Sequence, residues 1–338
     1  MTHGAGGDDR PAVTRREAVA GAGGLLTGVG AFRAIDNVLL GYGQTGNGTN
    51  VVEQDLANLL MSSISVAYDE RIAGHPVRLV GGAIEVSTES DTRRLDLAAD
   101  EGGSVRALDD DLGLDGRLAA LYADLRAVRS GDVRFAFSQP AAFFDRVRAA
   151  DARSDVLAAI RGRGDRTVSP ATVERFAGTP PSEPEPLADA LVGAFREQAA
   201  YDVPRYVAGA IEDNVIFGAA DLRGHLGSDV TFGAMLSSED DTRLFCWEFA
   251  LRSMEALQAA APWHQRLPVA AAYVRDARHK HVYTGVASAI RTDGDLVVPM
   301  TFLDYTHSTL YDDVNVTGLT GRGLAAYDDR HRVTHVSW

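Results

Sequence analysis

One cysteine, one histidine and one aspartate stand in an order that suits thiol catalysis. Cys246 is the only cysteine of the 338-residue chain, and His281 and Asp304 follow it. A lone cysteine cannot form a disulfide within its own chain, so it serves either packing or chemistry. In the chemical interpretation the sulfur attacks a carbonyl carbon, the imidazole moves the proton and the carboxylate orients the imidazole. The alternative is that Cys246 packs as a small buried hydrophobe.

The residues around Cys246 predict a helix that begins close to the sulfur. Apolar periodicity runs over residues 240–261, and Pro262 ends it. With Thr242 as the N-cap, Cys246 falls in the first turn. A helix N-terminus stabilises a thiolate and offers backbone N–H groups to a developing oxyanion. The buried stripe of this helix is predicted to contain Leu251, Met254 and Leu257.

The residues around His281 predict a strand. The run 281–290 is rich in residues that favour strands. Because alternate residues of a strand share a face, His279, His281 and Tyr283 are expected to point the same way. The alternative for His281 is a hydrogen-bonded histidine without a catalytic role.

A hairpin is predicted to bring Asp304 toward this strand. Residues 292–295 read Thr-Asp-Gly-Asp, a turn sequence, and a second β-rich run over 296–303 follows. Asp304 comes directly after that run, where its carboxylate can fix the tautomer of an imidazole and stabilise its charged form. The alternative is that Asp304 caps the end of the strand as a turn residue.

Three short segments carry a family pattern. Residues 246–250 read Cys-Trp-Glu-Phe-Ala, residues 281–286 read His-Val-Tyr-Thr-Gly-Val, and residues 303–306 read Leu-Asp-Tyr-Thr. In the same order they resemble the Cys-Trp-x-Phe-Ala helix start, the His-x-Trp-Val-Glu-Val strand and the Leu-Asp-Pro-Thr segment of the transglutaminase-like superfamily of papain-like cysteine enzymes. The resemblance covers roughly residues 240–307, with Tyr283 in place of the tryptophan and Tyr305 in place of the proline.

The resemblance implies a fold and a set of roles. The fold is a papain-like core, with helices packed on an antiparallel sheet. Cys246 is then the nucleophile, His281 the base and Asp304 the orienting acid. The substrate is the amide of a peptide or protein, and no cofactor is needed.

A metal site is a rival interpretation of some of the same residues. His279 and His281 share a predicted strand face, and Asp304 and His307 follow the next strand. Imidazole nitrogen and carboxylate oxygen are suitable ligands for zinc or another divalent ion. These residues therefore also fit a metal-dependent hydrolase.

The charge of the chain excludes some classes of partner. Asp and Glu number 47 against 33 Lys and Arg, which gives a formal net charge of -14. Such a chain repels nucleic acid and anionic membranes. Lys280 is its only lysine. An acid-rich, lysine-poor composition resembles that of proteins from extremely halophilic archaea.

The N-terminal residues predict an export signal. Arg15 and Arg16 precede a weakly apolar run, 18–32, that is interrupted by glycines. This arrangement resembles a twin-arginine export signal. We therefore expect the export machinery of that route as a partner and an extracellular or cell-surface location. An uncleaved signal would tether the soluble body to the membrane.

Element patterns predict an α+β protein with three parts. Segment 178–186 contains four prolines, which exclude a helix or a central strand and mark the best boundary. The parts are a signal and linker over 1–40, a mixed, mostly helical N-terminal region over 41–180, and the transglutaminase-like core over 181–338. Helices are predicted over 51–68, 118–128, 141–149, 155–160, 187–199 and 205–217, and β-rich segments over 79–97, 269–274 and 333–338.

Together these features predict an exported, thiol-dependent hydrolase or acyltransferase that acts on an amide or peptide bond. The alternative is a non-catalytic cell-surface module that keeps the fold without a working site. A thiol-reactive probe separates the two, because only an activated thiol reacts quickly in the folded protein.

Overall fold

A computed structural model describes residues 56–99, 101–161, 168–214, 219–222, 224–227, 230–238, 242–276, 281–306, 309 and 333–338. Within these residues the helices are α1 (Leu56–Ser63), α2 (Gly102–Leu112), α3 (Arg117–Ser130), α4 (Pro140–Arg148), α5 (Ser154–Arg161), α6 (Pro170–Ala177), α7 (Pro184–Gln198), α8 (Val203–Asn214), α9 (Phe232–Ser237) and α10 (Cys246–Gln258). The strands are β1 (Asp69–Ile72), β2 (His75–Val80), β3 (Ala83–Ser87), β4 (Thr92–Asp96), β5 (Val133–Phe137), β6 (Ala199–Tyr201), β7 (Thr242–Leu244), β8 (Ala270–Asp276), β9 (His281–Ala287), β10 (Ile290–Thr292), β11 (Asp295–Leu303) and β12 (His335–Ser337).

The largest sheet contains six of these strands. β10, β11, β9, β8 and β12 lie side by side in that order with antiparallel pairing. β5 joins the sheet by pairing in parallel with β11. β9 and β11 are buried at nearly every position, which is typical of strands covered on both faces. Helices packed with antiparallel sheets confirm the α+β class.

Helix α10 packs against β8 and β9 in this sheet. Phe249 and Leu257 of the helix lie in the same hydrophobic cluster as Val286 of β9. The Ser253 and Thr284 hydroxyl oxygens are 2.5 Å apart and hydrogen-bonded, which ties the middle of the helix to the strand. The start of the helix is therefore held beside the start of β9.

The position of Cys246 in the first turn and the burial of Leu257 are confirmed, but the predicted N-cap and the rest of the predicted buried stripe were wrong. Thr242 is not the N-cap of this helix but the first residue of β7, which pairs in parallel with β6. The helix starts at Cys246, and its buried residues include Phe249, Ser253 and Leu257. Leu251 and Met254, which were expected in the buried stripe, are only half-buried. A partner strand distant in sequence takes residues 242–244, and local periodicity does not reveal it.

The predicted hairpin is confirmed. Thr292 of β10 pairs with Asp295 of β11, which leaves a two-residue turn. Asp293 and Gly294 in that turn have φ of 55° and 92°. Two left-handed residues define the type I′ turn that Asp-Gly favours. A second sheet, β1 to β4, is an antiparallel meander, and β3 and β4 lie within the strand-like segment predicted over 79–97.

Elements on both sides of the proline-rich segment share one sheet and one core. β5 pairs with β11, and Phe143 and Phe176 lie in the hydrophobic cluster of Phe249 and Tyr305. Segment 178–186 turns the chain from α6 into α7, so it does not mark a break in the packing. Its last three residues are helical, contrary to expectation. Proline is tolerated there because the first N–H groups of a helix need no intrahelical acceptor.

Contacts divide the described residues into two units. Residues 202–227 form the first, which includes α8. Every other element, including those around Cys246, belongs to the second. In the described part of the chain, no helix has both the length and the hydropathy to cross a membrane. The predicted signal over 1–40, and His279 and His307 of the metal hypothesis, lie outside the described residues.

Candidate active site

Cys246 is the first residue of α10. Phe245 is the N-cap, and its extended backbone follows directly on β7. The Glu248 carboxylate reaches back and accepts a 2.6 Å hydrogen bond from the Phe245 N–H. This is one half of a capping box, and it fixes the backbone on which the sulfur is carried. Glu248 was not among the predicted site residues, although a glutamate three residues after an N-cap is a recognisable sequence signal.

The helix start also presents backbone donors beside the sulfur. The N–H groups of Glu248 and Phe249 bond to the Phe245 carbonyl. The Cys246 N–H precedes them and has no earlier turn of helix to bond to. Such a group, aided by the helix dipole, can stabilise negative charge on an oxygen atom bound next to the sulfur.

His281 stands between the sulfur and a carboxylate. It is the first residue of β9, and its Nε2 lies 2.7 Å from Oδ2 of Asp304, which directly follows β11. Cys246 also interacts with the His281 side chain and contributes to the raised pKa of the ring. Since Nε2 is engaged by the carboxylate, Nδ1 is the ring nitrogen left for the sulfur. The structure therefore brings all three predicted residues, Cys246, His281 and Asp304, close together, with a hydrogen bond between the last two.

The three side chains are buried together. Cys246 and His281 are each 4% exposed, and Asp304 is 1% exposed. Burial lowers the pKa of His281, but the charge and hydrogen bond of Asp304 and the contact with Cys246 outweigh it and raise that pKa to about 10. The ring therefore carries its proton at neutral pH. An imidazolium beside a sulfur and a carboxylate is the arrangement that thiol catalysis requires.

No family model, curated protein or solved structure matches the chain. The assignment of a function therefore depends on the geometry of the site and on the sequence pattern.

Two tyrosines border the site. The Tyr283 ring stacks beside the His281 ring, with centroids 6.1 Å apart and planes 27° apart, so these two residues do share a side of β9. Tyr273 of β8 is half-buried, and burial together with the proximity of Cys246 raises the pKa of its hydroxyl to about 12. Tyr273 was missed from the sequence because only strand pairing brings it to the site.

The residues that follow Asp304 anchor its position. The Tyr305 hydroxyl donates a 3.1 Å hydrogen bond to the Ala188 carbonyl of α7, and its ring packs at a steep angle on Phe195. Burial raises the pKa of this hydroxyl well above its usual value, so Tyr305 stays a neutral donor. Tyr305 thus ties the Asp304 segment to α7.

The metal hypothesis gains no support from the described residues. Within them, no group of three or more histidine, cysteine, aspartate or glutamate side chains is arranged to hold a metal ion. His281 and Asp304 bond to each other instead. His279 and His307 lie outside the described residues, so the complete proposed ligand set stays a prediction.

Proposed function

We propose that this protein is an exported, thiol-dependent hydrolase or acyltransferase of amide or peptide bonds, built on a transglutaminase-like, papain-like core. The observation that carries the proposal is that Cys246, the first residue of a helix, lies near His281, which is hydrogen-bonded to Asp304. The three sequence segments that resemble this superfamily contain the same three residues.

The first chemical step is acylation. The Cys246 thiolate attacks the carbonyl carbon of the substrate, and the carbonyl electron pair moves onto oxygen, beside the N–H groups at the start of α10. The His281 imidazolium then gives its proton to the leaving amine as the carbon–nitrogen bond breaks. A thioester on Cys246 and a free amine result. Asp304 stabilises the charged ring and holds its orientation.

The second step releases the acyl group. His281, now neutral, takes a proton from water or from an acceptor amine, and the new nucleophile attacks the thioester carbon. Collapse of that intermediate expels the Cys246 thiolate, and His281 keeps the proton that it took, which restores the thiolate and imidazolium pair. Water gives a carboxylic acid, and an amine gives a new amide. Both outcomes use only groups that the site and the substrate supply.

Burial of the sulfur favours a second candidate. A cysteine that is 4% exposed can be a packed hydrophobe, and a substrate reaches such a sulfur only if neighbouring side chains move. In that case the protein is a non-catalytic module of the cell surface. The two candidates differ in one measurable quantity, the reactivity of the thiol in the folded protein.

Alkylation of the folded protein by a chloroacetamide peptide tests the proposal. Because the chain has a single cysteine, each labelling event gives one mass increment. The rate in the parent protein is expected to exceed that of His281→Ala by about 100-fold, since an adjacent base or acid contributes roughly that much. Asp304→Asn, which keeps the size of the side chain, is expected to slow labelling by at least about tenfold.

The matched control is His264→Ala, which removes an exposed histidine next to Trp263. Its labelling rate should equal that of the parent protein. Equal rates for the parent protein and His281→Ala, or labelling only after unfolding in denaturant, would contradict catalysis and support the non-catalytic module.

A further inference from the structure

A recess lies in the same unit as the thiol site but at the other end of β11. It has a volume of about 820 Å³, and its walls are α2, α3, the segment before α2 and the turn between β10 and β11. Gly294 and Leu296, at the start of β11, line it, whereas Asp304 follows the end of that nine-residue strand. At about 3.3 Å per residue, the strand separates the two places by roughly 27 Å.

Cations dominate the lining of this recess. Four arginines contribute to it, against the carboxylates of Asp132 and Asp295. The local balance is thus positive in a chain with a formal charge of -14. A recess walled by protein focuses such a field and attracts an oppositely charged ligand. The four arginines are Arg106, Arg126, Arg129 and Arg291.

Three of the arginines are held in place. Arg291 bonds to the buried Asp124 carboxylate and to the Gly294 carbonyl. Arg129 donates to the Gly82 carbonyl, and the Arg126 guanidinium lies 5.7 Å from the centre of the Tyr122 ring. These contacts fix guanidinium groups around the recess, and those of Arg129 and Arg291 use fewer than the five N–H donors that each guanidinium carries.

Arg106 differs from the other three. It is exposed on α2 and, within the described part of the chain, makes no hydrogen bond or ion pair. A guanidinium without a protein partner, on the wall of a recess that already holds three more, is suited to bind a carboxylate or phosphate with two parallel hydrogen bonds.

The remaining lining is apolar and aromatic. Leu97, Val105 and Leu296 are buried beneath the surface of the recess, and Tyr122 is held by hydrogen bonds from its hydroxyl to the carbonyls of Asp96 and Ala99. Small-molecule sites combine such apolar walls with a few fixed polar groups, and their volumes range from roughly 300 to 1,000 Å³. The volume found here lies inside that range.

We propose that this recess binds a small organic anion with two or more phosphate or carboxylate groups. The arginines bind the charged groups, and the apolar wall formed by Leu97, Val105 and Tyr122 covers the body of the ligand. The site is distinct from Cys246 and does not depend on the proposed thiol chemistry.

Calorimetric titration of the full chain with pyrophosphate and with benzene-1,3,5-tricarboxylate, in about 50 mM salt, tests this proposal. Pyrophosphate reports phosphate recognition, and the tricarboxylate reports carboxylate recognition on an aromatic body. We expect saturable binding of one or both, with the dissociation constant raised about tenfold in Arg106→Gln through loss of a bidentate contact. Binding of one probe only would identify the charged group that the site prefers.

The matched control is Arg175→Gln, which neutralises an exposed helical arginine outside the recess. Its dissociation constants should equal those of the parent protein, as should those of Cys246→Ala. The proposal is overturned if neither probe binds, or if Arg106→Gln and Arg175→Gln bind the probes equally well. Thermal melts of the unliganded variants verify that each is folded.

Discussion

At the scale of single residues, His281 is the group on which the site depends. It connects a sulfur and a carboxylate that the chain separates by 58 positions, counted from Cys246 to Asp304. A buried carboxylate is costly unless it is paired, and a protonated imidazole is the partner that Asp304 has. The same pairing that makes the buried charges tolerable also gives His281 a proton to donate.

The protonation of His281 predicts how stability depends on pH. Its pKa is about 10 in the folded protein, against 6.5 for an ordinary histidine. A group whose pKa is raised by folding stabilises the folded state fully below pH 6.5, and that contribution is lost as the pH rises to about 10. The free energy of unfolding, measured with denaturant between pH 6 and 10, should fall more steeply in the parent protein than in His281→Gln.

The control for this measurement is His264→Ala, which should follow the parent protein because His264 is exposed. Parallel curves for the parent protein and His281→Gln would mean that folding does not raise the pKa of the ring, and the role of His281 as the acid would then be lost.

At the scale of elements, the site depends on where α10 begins. The Glu248 carboxylate caps the N-terminus of the helix by accepting a hydrogen bond from the Phe245 N–H. The hydrogen bond between Ser253 and Thr284 fixes the helix against β9. The antiparallel register of β9 with β11 sets the end of β11 next to that strand. The geometry of the three reactive groups thus follows from one helix cap and one strand register.

Removal of the cap is predicted to affect stability and reactivity together. Glu248 is 1% exposed, and Glu248→Ala leaves the Phe245 N–H buried without this acceptor. We expect a loss of about 1–3 kcal/mol in the free energy of unfolding, together with slower alkylation of Cys246. Glu248→Gln keeps an acceptor oxygen and should lose less of both. Unchanged alkylation in Glu248→Ala would show that the cap does not position the sulfur.

At the scale of the whole molecule, one buried carboxylate joins distant segments of the chain. Asp124 of α3 accepts hydrogen bonds from Arg153, before α5, and from Arg291 of β10. Together with the pairing of β5 and β11, this cluster ties residues before the proline-rich segment to the sheet that follows it. Within the second unit, the residues before the proline-rich segment and those after it are therefore expected to unfold together.

Neutralisation of Asp124 is predicted to destabilise the protein strongly. Its side chain is 2% exposed, and Asp124→Asn leaves two partly buried arginines without their counter-charge. The expected loss is about 3 kcal/mol in the free energy of unfolding. Asp145→Asn is the control, because that side chain is 73% exposed and its pairing with Arg148 contributes less than about 1 kcal/mol. Equal losses in the two variants would contradict a structural role for the Asp124 cluster.

The net charge predicts a dependence on salt. A formal charge of -14 destabilises the folded state by self-repulsion, and that repulsion is screened as the Debye length falls from about 10 Å in 0.1 M salt to about 3 Å in 1 M salt. The melting temperature should therefore rise by at least about 2 °C over this range. Potassium and sodium chloride should act equally. A melting temperature that stays constant or falls would argue against adaptation to high salt.

Features encoded over a few residues could be predicted from the sequence. The Asp-Gly turn between β10 and β11 follows from the preference of those residues for left-handed backbone. The helices over 118–128 and 141–149 follow from apolar periodicity and appear as α3 and α4. The sequence likewise shows Cys246, His281 and Asp304 in that order. This order led to the hypothesis that the three residues act together.

Features that depend on remote partners could not be predicted in the same way. Residues 242–244 form a strand because β6 lies beside them, so the helix begins at Cys246 and its buried face is rotated from the expected one. The parallel pairing of β5 with β11 joins segments that the four prolines seemed to separate. Tyr273 approaches Cys246 only through the pairing of β8 with β9.

The sequence by itself determined which groups were available for chemistry, the local turns and helices that carry them, and the charge that the solvent must screen. The tertiary structure alone decided that Nε2 of His281 lies 2.7 Å from Asp304, that Cys246 lies near the same ring, and that four arginines surround one recess. The physical reason is the distance along the chain over which each kind of interaction acts. Backbone preferences act over a few residues, whereas distances between side chains depend on strand pairing and packing across the whole chain.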